Sequence, residues 1–466
     1  MDSSFKLPAK LFCKLAVFFS SLLVTFFCLL VSSLDSEVSF ACWVLPLIYT
    51  IFLFFYLPLF RKTTPGIVIL NIVLYAKYII VPFCIYASGD ASLYINNSFY
   101  MNEAIAMMVY EGFIVFIFIY ITEFISRDTP DAHFTKGDNR WIVALVIVFS
   151  LFFIALKYPY FIGGLDLLTH GFLTQTYDAP SFGLVSIVWQ AFSAWLFLFI
   201  CHWLYALHIS FFGFKINSMF LIIGVSFVYL LLTFVGQASI SRWYTMISFV
   251  AVISFLIKMY PLDYKKILII VCIPVLVSFL TVSVYKNSNI LIDDNVDIAD
   301  AANDLIDITT LDTYLSGPYS VNNSIGLCVD NNIDSDIIVK DIVSQIPMVN
   351  HWFDCHPNSP DFYNMYVGRW FNGEGDQIIP LVGQSYVYFG ICGLPLLSTI
   401  SVLLVRFFDY RYSNSSSIMA YLYAFVSSWC AVMMILNLTI FTSWIFMRIL
   451  PLYLLIKCVD IFKFKN

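Results

Sequence analysis

Charge is what this chain has least of. Only 12% of its 466 residues are Asp, Glu, Lys or Arg, while 61% are hydrophobic; a soluble globular domain carries about 25% charged residues. The shortage excludes an ordinary soluble domain. No basic stripe interleaved with aromatics stands outside the apolar runs, so nucleic acid is not an expected partner. The eleven cysteines include no Cys-x-x-Cys pair, and no metal is expected. There is no Gly-x-Ser-x-Gly, no phosphate-cradling Walker loop and no dinucleotide fingerprint followed by an acid. No cofactor is therefore expected, and any activated donor must bring its own leaving group. An inverted internal repeat of the kind common in secondary transporters is also missing.

What is present is hydrocarbon in blocks. Uncharged runs of roughly 20 residues recur, each long enough to cross about 30 Å of lipid. Their continuity excludes a barrel, whose strands alternate in segments of about ten residues. The expected class is an all-α polytopic membrane protein with about 12 transmembrane helices. The expected spans are 11–31, 40–60, 67–88, 103–125, 141–157, 184–207, 216–235, 243–257, 266–284, 384–405, 418–436 and 442–458. The first, with Lys6 and Lys10 before it and Lys14 in its first turn, reads as a retained anchor, because no small-x-small cleavage site follows it. Three regions result: a bundle over 1–285 with about nine helices, a large polar loop over 286–383, and about three helices over 384–466.

Loop charges set the orientation. Arg61 and Lys62, Arg127, Lys136 and Arg140, Lys215, Lys258 and Lys265, Arg406 and Arg411, and Lys457 to Lys465 mark every second connection. By the positive-inside rule both termini are cytoplasmic and the large loop lies outside. That loop opens on an acidic stretch, Asp293 to Asp312, with breaks at Gly317-Pro318 and Pro347. Its Cys328 and Cys355 either pair in an oxidising compartment or remain free thiols. Gly390 and Gly393, in the span after the loop, read as small residues for close helix packing.

Few residues can carry chemistry. Arg242, in Gly-Gln-Ala-Ser-Ile-Ser-Arg-Trp-Tyr, stands at the mouth of a span, where a guanidinium either clamps a phosphate or snorkels to headgroups. Arg369 lies in Val-Gly-Arg-Trp-Phe-Asn-Gly-Glu-Gly-Asp-Gln and either clamps a second anion or pairs with Glu374 or Asp376. Arg448, inside the last span, needs a partner or a cavity. His351 and His356 flank Asp354, at a spacing that matches no zinc site; His356 is a candidate general base or a surface histidine without a role. Lys77 and Glu111 are the exceptional ionisable groups within spans, and they do not outline a transport pathway.

The arginine-bearing turn 236–242, together with the large outer loop leading into Gly-Asp-Gln-Ile-Ile-Pro-Leu-Val-Gly-Gln-Ser-Tyr-Val-Tyr-Phe-Gly-Ile-Cys-Gly (375–393), resembles the bacterial oligosaccharide repeat-unit polymerases of the Wzy type. That resemblance implies a GT-C-like, multi-pass protein of the bacterial inner membrane with a periplasmic catalytic loop. It implies transfer of a growing glycan from undecaprenyl diphosphate to the terminal sugar of another lipid-linked repeat unit, for O-antigen or capsule synthesis. The partners it implies are that lipid-linked oligosaccharide, membrane lipids and a chain-length regulator. In this light Arg242, Arg369 and Arg448 are expected on the diphosphate. Asp376, Glu374 and His356 are the base candidates, in that order, and Gln237, Trp370, Gln377 and Tyr386 are expected along the substrate. The related O-antigen ligases carry a His-Asn pair where this chain has Asp376-Gln377, which favours polymerase. The alternatives are the ligase or another lipid-linked glycosyltransferase, and a transporter or flippase of lipid-linked sugars.

Overall fold

The computed structural model describes residues 6–34, 41–56, 64–88, 99–125, 184–206, 210–211, 214–215, 218–235, 242–271, 308–370 (less 332, 335 and 348) and 377–461 (less 417). Over these the chain is helical, apart from one tight hairpin in which β1 (Ser210–Phe211) pairs antiparallel with β2 (Phe214–Lys215). Four helical stretches are long and apolar enough to span a membrane: Phe12–Ser33, Pro65–Ala87, Met101–Phe124 and Leu438–Lys457. Two apolar helix pairs, Met246–Met259 with Pro261–Val271 and Leu381–Gly393 with Leu396–Asn414, are sharply bent at their breaks, and counting each pair as one span brings the number to at most six. Several expected spans appear as shorter apolar helices, at Val44–Phe55, Gln190–Tyr205, Ser218–Leu230 and Met419–Ile435. The expected span 141–157 lies outside the described residues, and 266–284 passes out of them after Val271.

One expected span is corrected. Residues 384–405 do not form a continuous helix: α13 (Leu381–Gly393) and α14 (Leu396–Asn414) meet at 107°. Gly390 adopts φ +63° and ψ −162°, a conformation that a side chain disfavours. A Cβ there would meet nothing within 4 Å. The glycine therefore serves the break and not helix packing. Ser385 Oγ donates to the Gly393 carbonyl at 2.9 Å, covering one acceptor that the break leaves open.

The chain divides into two compact units. The first comprises Met1–Asp128, Asn303–Phe407 and Trp429–Thr442. In it α1 (Lys6–Leu34), α2 (Val44–Tyr56) and α5 (Met101–Ile125) pack around α3 (Pro65–Tyr75), a π turn (Ala76–Ile80) and α4 (Val81–Ser88). Over its described residues the polar loop folds into a helical layer on this bundle, made of α9 (Ile308–Leu315), α10 (Pro318–Asp330), α11 (Ile337–Val343) and α12 (Ser359–Trp370). Breaks fall at Gly317-Pro318 and at Pro347, as the sequence indicates. Leu327, Tyr363, Tyr366, Val367 and Ile379 form the core of the layer. Its α10 packs against α5, α12 and α13. The approach to α13 is close at Gly383, where a Cβ would fall 2.2 Å from Ser324 Oγ.

The two ends of α5 have different neighbours. At its start the Tyr100 N–H donates to Asn322 Oδ1 of the layer at 2.9 Å. At its end Glu123 pairs with Arg406 of α14 at 2.5 Å. Some 23 residues of helix separate these contacts, or about 34 Å at 1.5 Å per residue, close to the thickness of a bilayer. The layer and the basic Arg406 end are thus about one membrane apart.

Within this bundle Lys77 and Glu111, both fully buried, pair at 2.6 Å. Tyr78 Oη and Ser398 Oγ also donate to Glu111, at 3.2 and 2.5 Å. Lys77 sits in the π turn, a widened turn common at special sites in helices. Glu111→Ala strands a buried ammonium and is expected to cost about 3 to 5 kcal/mol, whereas Lys77→Met with Glu111→Leu is expected to be near neutral. Thermal unfolding in detergent checks both; a single variant as stable as the parent contradicts the pairing.

The second unit comprises Thr129–Ala302, Phe408–Ser428 and Ser443–Asn466. Here α6 (Leu184–Ala206) packs on α7 (Ser218–Val235) and on α17 (Leu450–Ile461). Phe197 stacks on Tyr229 with centroids 4.3 Å apart, and the Tyr229 and Tyr421 hydroxyls share a hydrogen bond of 2.9 Å. Lys258, in the last turn of α8 (Arg242–Met259), donates to the Tyr412 and Ser413 carbonyls. Tyr412 returns a bond to the Ser254 carbonyl at 2.8 Å.

Candidate functional site

The layer of the first unit is organised by two buried carboxylates. Asp312 accepts the Tyr319 and Ser320 N–H groups at 3.2 and 2.9 Å, and the Ser320 hydroxyl at 3.1 Å. It thereby caps α10, which begins on Pro318 because proline suits the first helical position. Burial pushes its carboxyl up to about 7, against the lowering effect of the Ser320 and Tyr319 hydrogen bonds. The native state thus binds a proton more tightly than the unfolded chain does, so stability falls as pH rises from about 4 to 7 and is flat above. The lost contribution is on the order of 4 kcal/mol. Asp312→Asn is expected to remove that slope and to exceed the parent in stability at pH 8 more than at pH 5 in detergent melts. A parent whose stability rises over this range contradicts the assignment.

Asp341, on α11, has no exposed surface. Its Oδ1 accepts the Ser359 N–H at 2.7 Å, and its Oδ2 accepts Gln384 Nε2 at 3.0 Å together with the Ser359 and Tyr388 hydroxyls. Gln384 also donates to Thr439 Oγ1 at 3.2 Å and accepts the Leu438 N–H at 2.7 Å. Ser359 is the first residue of α12, Gln384 lies in the first turn of α13, and Leu438 opens α16 (Leu438–Trp444), which runs through a second π turn (Ile445–Ile449) into α17. The N-terminus of α12 thus points a backbone N–H at the Asp341 carboxylate, and Gln384 links the same carboxylate to the first residues of α16. Burial nonetheless holds the Asp341 carboxyl above its ordinary range, with the Ser359 and Tyr388 hydrogen bonds opposing it.

The exposed edge of this framework is α12. It starts with a reciprocal capping box: the Asp361 N–H donates to Asn358 Oδ1 at 3.0 Å, and the Asn358 N–H donates to Asp361 Oδ2 at 2.9 Å. The same Oδ2 meets His356 Nδ1 at 2.6 Å. A carboxylate only accepts, so Nδ1 carries a proton, and in the neutral imidazole Nε2 is an acceptor. His356 is exposed, and Arg369 is exposed in the last turn of the same helix. Eight residues separate Asp361 from Arg369, about 12 Å along the axis. A base and a cation thus occupy the two ends of one short helix.

The other expected residues fall as follows. Gln377 bridges helices: its N–H donates to Asn364 Oδ1 at 2.7 Å, and its Oε1 accepts the Thr313 hydroxyl at 2.8 Å. Tyr386 is half-buried on α13. Trp370 ends α12, with its side chain outside the described residues, as are Gln237, Glu374 and Asp376. In the second unit Arg242 is the first residue of α8, its side chain likewise not described. Arg448 lies in the second π turn with its guanidinium 4.1 Å from the Trp444 ring. It lines a small, partly open cleft with Gln190, Tyr229 and Tyr421. Cys328 and Cys355 are free thiols. Among the described residues no group of three or more His, Cys, Asp and Glu side chains is placed to hold a metal ion. Asp341, Ser359, Gln384 and the His356–Asp361 pair are additions to the sequence reading.

No family model, curated protein or solved structure matches this chain.

Proposed function

We propose that this chain is a membrane-embedded polymerase of lipid-linked glycans. The observation that carries the reading is the polar layer. It is folded about a membrane's thickness from the Glu123–Arg406 end of α5, and it presents His356, paired with Asp361 at the start of α12, and the exposed Arg369 at the end of that helix. The positive-inside pattern puts Arg406 in the cytoplasm, so the layer belongs outside, where a lipid-linked acceptor and donor meet. The closed Lys77–Glu111 pair supports the same reading over transport, since two fully buried groups that neutralise each other line no path.

In the reaction an acceptor hydroxyl attacks the anomeric carbon of the donor glycan, and the bond from that carbon to the diphosphate oxygen breaks. His356 Nε2 takes the hydroxyl proton, while Asp361 stabilises the imidazolium through Nδ1–H. Arg369 meets the charge that develops on the departing diphosphate. His356 is supported as the base by its contact with the Asp361 carboxylate; the other two base candidates, Asp376 and Glu374, lie outside the described residues.

The test is a strain in which the gene for this chain is deleted. Its glycan is expected to stop at a single repeat unit and to regain long chains when the gene is restored. Unchanged long chains, or loss of even the single unit, would overturn the reading.

A further inference from the structure

Between the 3-10 turn Val349–His351 and α12 the chain displays two adjacent aromatic side chains, Trp352 at 76% and Phe353 at 60% exposure. They are not on a slack loop. The Trp352 N–H donates to the Val349 carbonyl at 2.9 Å and the Asn350 N–H to the Ile346 carbonyl at 3.2 Å. Immediately after them Cys355 is buried at 3% exposure, Asn358 at 4% and Ser359 completely. Well-fixed backbone on both sides therefore holds two large apolar rings out of the core. Two adjacent rings of this size make an exposed apolar patch, and Trp is enriched where such patches bind a ligand or partner.

The neighbours decide the occupant. Asp354 is exposed next to Phe353, and the His356–Asp361 pair follows it. A ring inserted into lipid would draw these carboxylates toward the hydrocarbon, at a cost that membrane proteins avoid. A saccharide fits both halves of the surface. One face of a pyranose presents C–H groups to an aromatic ring, and its hydroxyls donate to carboxylates and to an imidazole acceptor.

We propose that Trp352 and Phe353 form a saccharide-binding platform, with Asp354 and His356 receiving the sugar hydroxyls. This rests on the glycan reading above and deepens it by placing the acceptor sugar beside His356 Nε2.

Saturation-transfer NMR on the full chain in lipid nanodiscs tests it, with free glucose, galactose, rhamnose and N-acetylglucosamine as probes. At least one sugar is expected to receive transfer at its ring C–H protons. Trp352→Ala with Phe353→Ala is expected to weaken that binding about tenfold or more, and Trp352→Tyr to retain it within about threefold. Absence of transfer to every sugar, or transfer unchanged in the double alanine variant, overturns the platform. A companion measurement takes the tryptophan fluorescence lost on Trp352→Phe and asks whether lipids brominated on their acyl chains quench it. Quenching would place the ring in the bilayer and overturn the assignment; no quenching supports it. Binding is read without turnover, so a chain that binds sugar but makes no polymer separates this inference from the polymerase reading. Undiminished chain growth in a double alanine variant that has lost sugar binding would sink the acceptor placement while leaving that reading intact.

Discussion

Replacing Asp341 by alanine is expected to cost the first unit about 3 kcal/mol or more, because several buried neutral donors lose their acceptor at about 1 to 3 kcal/mol each. The carboxylate receives four donors: the Ser359 N–H and hydroxyl, Gln384 Nε2 and the Tyr388 hydroxyl. Alanine leaves all four without that acceptor, and each unmet buried donor costs about 1 to 3 kcal/mol, less where a neighbour rebonds it or, as at the part-buried Tyr388, solvent is near. Gln384 and Ser359 do have each other at 2.9 Å, so the expected total is below the plain sum. An amide in place of the carboxylate keeps one oxygen acceptor but turns its NH2 group toward donors, so Asp341→Asn is expected to lose more than half as much. The damage should reach function through geometry: Ser359 opens α12, and the Asn358–Asp361 box that seats His356 overlaps that first turn. Detergent melts and chain-growth assays on the two variants check this. Parent-like stability in Asp341→Ala would show that the network is dispensable.

Arg369→Ala is expected to abolish chain growth while protein level and membrane insertion stay normal. The side chain is exposed at the end of α12, so its removal leaves no cavity and no unmet buried group. A surface change of that kind shifts stability by about 0.5 kcal/mol at most. The loss should therefore fall on the reaction. Removing a donor that meets transition-state charge lowers turnover by about 100- to 1,000-fold, enough to erase long glycans. Lysine restores the charge but not the planar fork of donors, so Arg369→Lys is expected to recover only part of the activity. Full-length glycans in Arg369→Ala, at normal expression, would remove this residue from the diphosphate.

Lipid makes most of the bundle legible, because a span must be written as an unbroken apolar run. Hence α1, α5 and the Leu438–Lys457 stretch fall where hydropathy places them. The break at Gly390 was not legible, since a glycine that kinks a helix and one that admits a neighbour look alike in a sequence. The pairing of Lys77 with Glu111 was within reach: two opposite charges in separate spans have few ways to be neutralised. Asp341 left a fainter mark, a lone acid in Ile-Ile-Val-Lys-Asp-Ile-Val, where the apolar neighbours foreshadow burial. Its partners lie 18, 43 and 47 residues further on, and no local pattern announces them. The capping box Asn358-x-x-Asp361 is a local signal, and it also explains why His356 finds a carboxylate. Sequence reasoning instead weighed His356 against Asp354, its neighbour in the chain, whereas the helix start delivers Asp361.

The sidedness of the helical layer carries the whole account, and cysteine labelling in intact cells measures it directly. A cysteine at exposed position Asp354 is expected to react with a membrane-impermeant maleimide without permeabilisation. One at Leu262, which is 95% exposed in the turn after α8, is expected to react only once the membrane is opened. The reverse pattern, with position 354 protected and position 262 open, would put the layer in the cytoplasm and contradict a periplasmic glycan polymerase.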